Sequence, residues 1–342
     1  MILWGDGFDQ YGLDRTALAA FGYALSGFNN ILSNVNPRTG STSLRFVGGG
    51  PDLIKRTISA PSPIIGCGAG VFIAIPPPSS DGLQWNLYQG ATDVLAIVIT
   101  PGLGFEIRKG TFGAIIQTTA NNLLTLNTYQ WIEFKYVNDT VTPKQTLEVR
   151  LNGNVLFTIN GLGVGNLNVD AVQFSTRSNM TVDAFYDDWV LWDGTGTLNN
   201  NFLGPRRCNT SLANSDGATQ QWTIAGAATA NAALNSTPPD VTKSITGTVV
   251  NQVADIGKAG LTRATNDIAG IILSGNMLSS DGSAVRVRMG MNSAGTVLNA
   301  PEITLGSGAT YYQALFETDP ATGLSWTKTG LDAALMRLTR TF

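Results

Sequence analysis

Acidic side chains cluster once in the sequence, within residues 183–193. If this stretch is a strand, Asp183, Phe185 and Asp187 share one face and Asp188 lies on the other, because successive side chains alternate. Such carboxylates could hold calcium through oxygen ligands or form the acid pair of a glycoside hydrolase. They could also hydrogen-bond backbone amides where neighbouring strands end. We favour this last, structural interpretation; calcium on Asp183, Asp187 and Asp188 and then catalysis remain open alternatives.

Other catalytic chemistry has little support in the composition. The chain contains no histidine, which excludes Ser-His-Asp and Cys-His catalytic groups as well as histidine-ligated metals. The five glutamates are scattered along the chain, at Glu106, Glu133, Glu148, Glu302 and Glu317. The sequence therefore predicts a protein that is not an enzyme and has no cofactor, apart from the open possibility of calcium.

Aromatic side chains are the remaining candidates for ligand contacts, because a sugar can stack on an exposed ring. Trp85 and Tyr88, near a predicted loop, are the first candidates for glycan contacts, and Trp4 and Tyr11 are the second. Large aromatic residues dominate core packing. A core position is therefore the favoured interpretation of each of these rings.

Charge and hydropathy limit the partners. The net charge of −3 leaves no basic surface for nucleic acid. The N-terminus lacks the pattern of a secretory signal. The apolar stretch 64–75 is shorter than the roughly 20 residues that span a bilayer. We expect synthesis in the cytoplasm and no membrane insertion.

Cysteines and glycines add no site. Cys67 and Cys208 are expected to be free thiols, because two cysteines do not make a disulfide framework. Glycine-rich stretches at 48–51 and 161–165 lack the Lys-Ser/Thr ending of a phosphate loop. We interpret both as turns.

Strands must position these side chains. Turn-forming residues interrupt the chain at the spacing typical of a β sandwich or barrel. Alternating or apolar stretches predict strands at 71–75, 83–88, 94–100, 105–109, 114–118, 131–137, 146–151, 155–159, 171–175 and 185–192, and later at 244–250, 268–274 and 284–291. Asn152-Gly153 predicts a hairpin turn. In the strand 131–137, Glu133 and Lys135 alternate with apolar residues, which predicts one solvated face.

Few helices are expected. Residues 16–23 could form a short one, although the surrounding glycines favour a loop. Leu331, Leu335 and Leu338 have helical spacing, with Thr329 as a candidate N-cap. The composition changes near residue 195, so we predict one domain at 1–198 and a smaller β domain at 199–342 that ends in this short helix.

Three ordered motifs carry a resemblance over roughly residues 1–195. They are the strand opened by Trp131, the Asn152-Gly153 hairpin, and the closing strand with Asp187-Asp188-Trp189. In this order they resemble the concanavalin A-like, laminin-G-like jelly roll. The resemblance implies a mainly-β jelly-roll sandwich, and many proteins of this class bind sugar.

A second resemblance involves both predicted domains. Its motifs are Asp187-Asp188-Trp189, Asp193-Gly194-Thr195-Gly196, Phe202-Leu203-Gly204-Pro205-Arg206, Gln221-Trp222-Thr223 and the C-terminal stretch 316–327. Together they are similar to virion proteins of tailed bacteriophages. The resemblance implies a structural protein on the tail, neck or head, in a fibre, sheath or decoration role, that assembles with itself and with other virion proteins.

The low charge content, 13%, is consistent with a surface that other copies cover. Two alternatives stay open beside the structural role. One is an adhesion module of the virion that binds a host glycan or receptor. The other is a carboxylate glycanase.

Overall fold

The computed structural model describes residues 1–27, 30–48, 52–79, 82–139, 145–176, 181–262 and 267–342. The chain divides into two compact units, Met1–Cys208 and Asn209–Phe342. Both are built mainly of antiparallel strands. The mainly-β fold class predicted from the sequence is therefore confirmed.

Unit 1 contains, in chain order, β1 (Ile2–Asp6), a 3-10 helix (Asp9–Tyr11), α1 (Arg15–Ala20), β2 (Tyr23–Ser26), β3 (Asn30–Ser33), β4 (Ser43–Val47), β5 (Leu53–Ser62), β6 (Ile64–Ile75), β7 (Gln84–Gln89), β8 (Thr92–Ile99), β9 (Phe105–Arg108), β10 (Ile115–Thr118), β11 (Gln130–Val137), β12 (Thr146–Leu151), β13 (Asn154–Asn160), β14 (Val169–Ser175) and β15 (Asp183–Asp193). All ten strands predicted in this half are present. The loop favoured at 16–23 is wrong, because α1 covers residues 15–20; Asp14 caps this helix, and its carboxylate accepts from the Thr16 amide at 2.8 Å.

Two sheets form unit 1. Sheet A has the order β13-β12-β11-β6-β15-β4-β3, with β1 also paired to β15; sheet B has the order β10-β9-β8-β7-β14-β5-β2. Aromatic rings from the two sheets meet in the interior. Phe174 of sheet B lies 4.6 Å from the Tyr186 ring and 4.4 Å from the Trp189 ring of sheet A. Unit 1 is therefore a two-sheet antiparallel sandwich of the jelly-roll kind.

The predicted hairpin is confirmed. β12 and β13 pair directly across Asn152 and Gly153, which have φ values of 52° and 86°. A tight hairpin turn of this kind requires positive φ at both central residues, which explains the Asn-Gly pair.

The face of sheet A that points away from sheet B is covered, contrary to the solvated face predicted at 131–137. Residues 199–208, here called the strap, run across it, and Glu133 is completely buried beneath them. The strap thus belongs to unit 1. The predicted boundary at residue 198 lies ten residues before the one that the structure shows, at 208.

Unit 2 contains β16 (Ala213–Gln220), β17 (Thr223–Ala225), α2 (Ala230–Leu234), β18 (Ser244–Thr246), β19 (Val253–Lys258), β20 (Ile271–Met277), β21 (Arg286–Ser293), β22 (Thr296–Asn299), β23 (Ile303–Thr304), β24 (Thr310–Phe316), α3 (Lys328–Ala333) and β25 (Leu335–Arg340). Its main sheet has the order β16-β19-β25-β21-β22, with β23 also paired to β21. β17 pairs with β18 and β20 with β24 in two smaller sheets. Met289, Met291, Phe316 and Trp326 lie in its larger apolar cluster.

The predicted C-terminal helix is present but shorter than the leucine spacing indicated. α3 is capped by Thr327, not Thr329, and the Thr327 hydroxyl accepts from the Gly330 amide at 3.0 Å. Leu335 and Leu338 belong to β25, which pairs with β19 on one side and β21 on the other. Pairing with neighbouring strands stabilises these residues as part of a strand, which outweighs the helical spacing.

Cys67 and Cys208 are both free thiols. In the part of the chain that the structure describes, no helix combines the length and apolar character needed to cross a membrane. Residues 49–51 of the first predicted glycine turn lie outside the described residues.

Candidate functional site

The aspartates predicted as a possible site do not converge as ligands. Asp183 forms a two-pronged ion pair with Arg45, at 2.8 Å for each oxygen. A bulge in β15 between Asp187 and Val190, with Asp188 at φ 54°, interrupts the alternation of side chains. Asp187 and Asp188 therefore both contact residues 38 and 39, instead of lying on opposite faces as predicted.

Every carboxylate oxygen of Asp187 and Asp188 accepts a hydrogen bond. Asp187 accepts from the amides of Arg38, Thr39 and Asp188 at 2.7, 3.1 and 2.7 Å. Asp188 forms a 2.6 Å ion pair with Arg38 and accepts from the Cys208 amide at 2.7 Å. Among the described residues no group of three or more Asp, Glu or Cys side chains could hold a metal ion. A calcium ion would have to displace these donors, so the aspartate cluster does not fit a calcium site.

Burial sets the protonation of this pair. Loss of solvation is the main cause that raises the pKa of Asp187, and the adjacent Asp188 charge raises it further. The pKa of Asp188 is also raised by burial, against the opposing effect of Arg38. The folded chain thus holds a proton here at pH values at which the unfolded chain has lost it.

We therefore expect the melting temperature of unit 1 to fall as the pH rises from about 5 to 8. A carboxyl group whose folded pKa is raised stabilises the fold below its unfolded pKa, and this stability is lost as the pH rises through the folded pKa. Thermal melting followed by tryptophan fluorescence across this pH range tests whether the melting temperature falls with rising pH.

Asp187→Asn should reduce the slope of melting temperature against pH. Asp240→Asn is the matched control and should leave the slope unchanged, because Asp240 is partly exposed and its hydrogen bond with Thr242 lowers its pKa to about 2. A melting temperature that stays level or rises between these pH values would contradict the assignment.

Three of the four predicted aromatic contacts lie in the core. Trp85 is 1% exposed, and its ring meets Phe134 and Tyr186 of the opposite sheet at 6.5 and 5.8 Å. Trp85 therefore has no exposed ring face for a sugar, and the candidate glycan contact at this residue is wrong. Trp4 and Tyr11 are also buried.

Tyr88, the remaining predicted contact, is half-buried on the outer face of sheet B. Its ring lies 4.1 Å from the Lys55 ammonium. Burial, and then the charge of Asp93, raises the pKa of Tyr88. Its phenol therefore stays protonated and able to donate a hydrogen bond.

The outer face of sheet B also carries a layer of polar side chains that the sequence analysis did not identify. Since Trp85, Phe105 and Phe174 point inward, their strand neighbours point outward. The outward residues form what we call the polar layer: Gln84, Asn86, Glu106, Arg108, Gln173 and Ser175. Each is at most 9% exposed.

Hydrogen bonds order the polar layer. The Asn86 amide donates to the Thr111 hydroxyl at 2.7 Å and accepts from the Ser175 hydroxyl at 2.9 Å. Glu106 and Arg108 form an ion pair along one strand. The Gln84 side-chain oxygen is buried and has no hydrogen-bond partner in the described part of the chain.

This arrangement suits recognition of a neutral polyhydroxyl ligand. Amide and hydroxyl groups both donate and accept, as sugar hydroxyls do, and Tyr88 supplies a ring beside them. Ordered polar groups around an apolar surface are typical of ligand sites. In the sequence, the alternation of Gln84, Asn86 and Tyr88 along one strand was the pattern that could have indicated this polar face.

The polar layer lies on a mainly-β jelly-roll sandwich, the class that the fold defines. No protein-family model matches the chain, and no curated protein matches it. Among solved structures, a sialidase is 12% identical with a TM-score of 0.39, over 55% of this chain and 18% of its own. This chain thus covers less than a fifth of that protein.

Two further structures show a similar level of likeness. Lectin II from Ulex europaeus is 11% identical with a TM-score of 0.35, over 56% of this chain and 98% of its own. The CBM2 module of the evolved Dit from Lactobacillus casei BL23 phage J-1 is 13% identical with a TM-score of 0.37, over 56% of this chain and 94% of the module. Identities this low do not assign the chain to a family.

Proposed function

We propose that the chain is a non-enzymatic virion protein of a tailed bacteriophage, and that unit 1 binds a host-surface glycan through the outer face of sheet B. The observation that carries the binding role is the ordered polar layer beside the half-buried ring of Tyr88. Asn86, Gln173 and Ser175 are buried and hydrogen-bonded to one another, so they fix the surface from which the half-buried Tyr88 ring offers a stacking face.

The carboxylates support binding without hydrolysis. A glycosidase needs two carboxyl groups that can exchange protons on either side of the scissile bond. Glu106 of the polar layer is neutralised by Arg108. Asp187 and Asp188 are buried with all their oxygens occupied. A carboxylate glycanase is accordingly the weaker alternative.

The virion assignment is supported by the motifs that resemble phage virion proteins. Two of those residues, Asp188 and Leu203, attach the strap to the sandwich. We propose copies of the same chain and neighbouring virion proteins as its partners, and the tail, neck or head surface as its place. Mass spectrometry of purified particles tests this assignment, and absence of the chain from them would refute it.

Glycan binding is tested with the purified full chain on an array of bacterial surface polysaccharides, followed by calorimetry with the best binder. Tyr88→Ala is expected to weaken binding about tenfold, the effect of losing one stacking ring of about 1.4 kcal/mol. Gln173→Ala should also weaken it.

Phe342→Ala is the matched control. Phe342 is an exposed ring in unit 2 whose centroid lies 5.4 Å from Arg286, so it also pairs with a cation but lies outside the face. Its loss should leave binding unchanged. Binding that survives Tyr88→Ala at full strength would refute the proposed face. Release of reducing sugar from the bound glycan would refute the non-enzymatic role.

A further inference from the structure

The loop between β9 and β10 folds back over the outer face of sheet B. We call residues 109–114 the tip loop; they follow directly after Arg108, the last residue of β9. The Thr111 hydroxyl of this loop accepts a hydrogen bond from the outward-pointing Asn86 amide of β7 at 2.7 Å. In the sheet, β8 lies between β7 and β9. The tip loop therefore crosses β8 on the outer side to reach Asn86.

Further contacts hold the tip loop in this position. The Asp93 carboxylate, at the start of β8, accepts from the Thr111 amide at 2.7 Å and also from the Thr111 hydroxyl. The Lys109 amide donates to the Ala114 carbonyl at 3.0 Å and closes the loop at its base. The Thr111 side chain lies within hydrogen-bonding reach of the Tyr88 phenol. The loop is thus attached to the polar layer and begins beside the proposed stacking ring.

The tip loop presents an aromatic ring to solvent. Phe112 directly follows Thr111 and is 83% exposed. Every other aromatic ring that the structure describes in unit 1 is buried or half-buried. Exposure of such an apolar ring to water is unfavourable, and binding residues are often carried on loops that a rigid scaffold positions. Phe112 therefore offers an accessible ring face immediately beside the polar layer.

We propose that Phe112 is a second stacking ring of the glycan face, and that unit 1 binds an oligosaccharide segment of at least two sugar units. Tyr88 and Phe112 both border Thr111 but lie on different elements, so successive sugar units would stack on the two rings. A sugar combines an apolar ring face with hydroxyl groups, which matches aromatic rings set among polar groups. The inference rests on the proposed function, because it extends the same face.

The test is calorimetry of the full chain with fragments of one to six sugar units, prepared from the polysaccharide that binds best on the array. The affinity of the wild-type chain should rise with fragment length. Phe112→Ala should weaken binding of the longest fragment about tenfold and remove most of this rise, because one of two stacking rings is lost. Tyr88→Ala should weaken binding at every fragment length.

Conservative variants separate stacking from a general apolar contact. Phe112→Tyr keeps the ring and should keep the affinity within about twofold, whereas Phe112→Leu should behave like Phe112→Ala. Phe342→Ala, which removes the exposed phenylalanine of unit 2, is the matched control and should change nothing. Because Phe112 is exposed, its variants should keep the wild-type melting temperature. A Phe112→Leu variant with wild-type affinity would contradict stacking.

Thr111→Val tests whether the tip loop positions the ring. It removes the hydroxyl that contacts Asn86 and Asp93, so it should also weaken binding of the longest fragment. Adding Phe112→Ala to Thr111→Val should weaken binding little further, because the ring is then no longer held in place. Fully additive losses would contradict this positioning.

The two proposals can fail separately. If Phe112→Ala binds fragments of every length as tightly as the wild-type chain while Tyr88→Ala is weakened, this inference is overturned and the glycan face stands. If the wild-type chain binds no polysaccharide on the array, both proposals are overturned.

Discussion

Replacing Glu133 with alanine is expected to lower the free energy of unfolding of unit 1 by about 3 to 5 kcal/mol, because several buried hydrogen-bond donors lose their acceptor. The Glu133 carboxylate accepts from the Leu203 and Gly204 amides of the strap at 2.7 and 3.0 Å. It also accepts from the indole nitrogens of Trp131 and Trp192, both at 3.3 Å. Alanine would leave these four donors without their acceptor, and each buried unsatisfied donor costs about 1 to 3 kcal/mol.

Two measurements separate this effect from a general loss of packing. Denaturant unfolding gives the free energy, and trypsin digestion reports the strap, because Arg206 and Arg207 lie within it. We expect Glu133→Ala to accelerate cleavage at these arginines. Glu133→Gln should have a smaller effect, because it keeps one acceptor oxygen.

Glu148→Ala is the matched control. Glu148 lies on the adjacent strand β12, where it pairs with Arg150 at 2.6 Å and is 22% exposed. Removing such a partly exposed pair should cost about 1 kcal/mol or less. If Glu133→Ala and Glu148→Ala lower the free energy of unfolding equally, or if Glu133→Ala leaves the rate of strap cleavage unchanged, the role that we assign to Glu133 is contradicted.

The second large effect is expected from Gly66→Ala. Gly66, Gly68 and Gly70 alternate along β6, so their open sides lie on the same outer face of sheet A. A Cβ atom on Gly66 would lie 2.0 Å from the Trp192 indole, and one on Gly68 would lie 2.4 Å from the Trp131 indole. The row of glycines therefore makes room for two tryptophan side chains.

Alanine at position 66 should destabilise unit 1 by about 3 kcal/mol, at the upper end of the range for overpacking, because the buried indole is rigid. It should also change the tryptophan emission spectrum, because the Trp192 indole has to move away from the added methyl group. Gly306→Ala is the control, since no atom lies within 4 Å of a Cβ atom there. A stable Gly66→Ala variant with an unchanged tryptophan spectrum would show that the outer layer can rearrange.

Local features of unit 1 could be predicted because they depend on neighbouring residues. Asn152-Gly153 fixes its turn through positive φ at two adjacent residues, and the alternation in β11 and β12 identifies strands from side-chain period alone. The alternating glycines of β6 were also visible in the sequence. They indicate a close approach on one face, although not which side chains fill it.

Glu133 shows why other features could not be predicted. An alternating glutamate in a strand predicts a solvated face, and only the strap, some 70 residues further along the chain, reverses that prediction. The position of Asp188 depends on a bulge for which the sequence carries no recognised signal. Leu335 and Leu338 fit a helical spacing, but strands on both sides hold them in β25.

The chemistry of the aspartates of β15 is thus set by distant contacts. The sequence by itself determined which segments form strands, where the chain turns, and that histidine-dependent catalysis is excluded, because these follow from residue type and local spacing. Only the tertiary structure decided which strand faces are buried, which carboxylates are neutralised, and that Tyr88 rather than Trp85 borders a polar surface. Burial and pairing depend on segments that are far apart in the chain, and no local pattern encodes them.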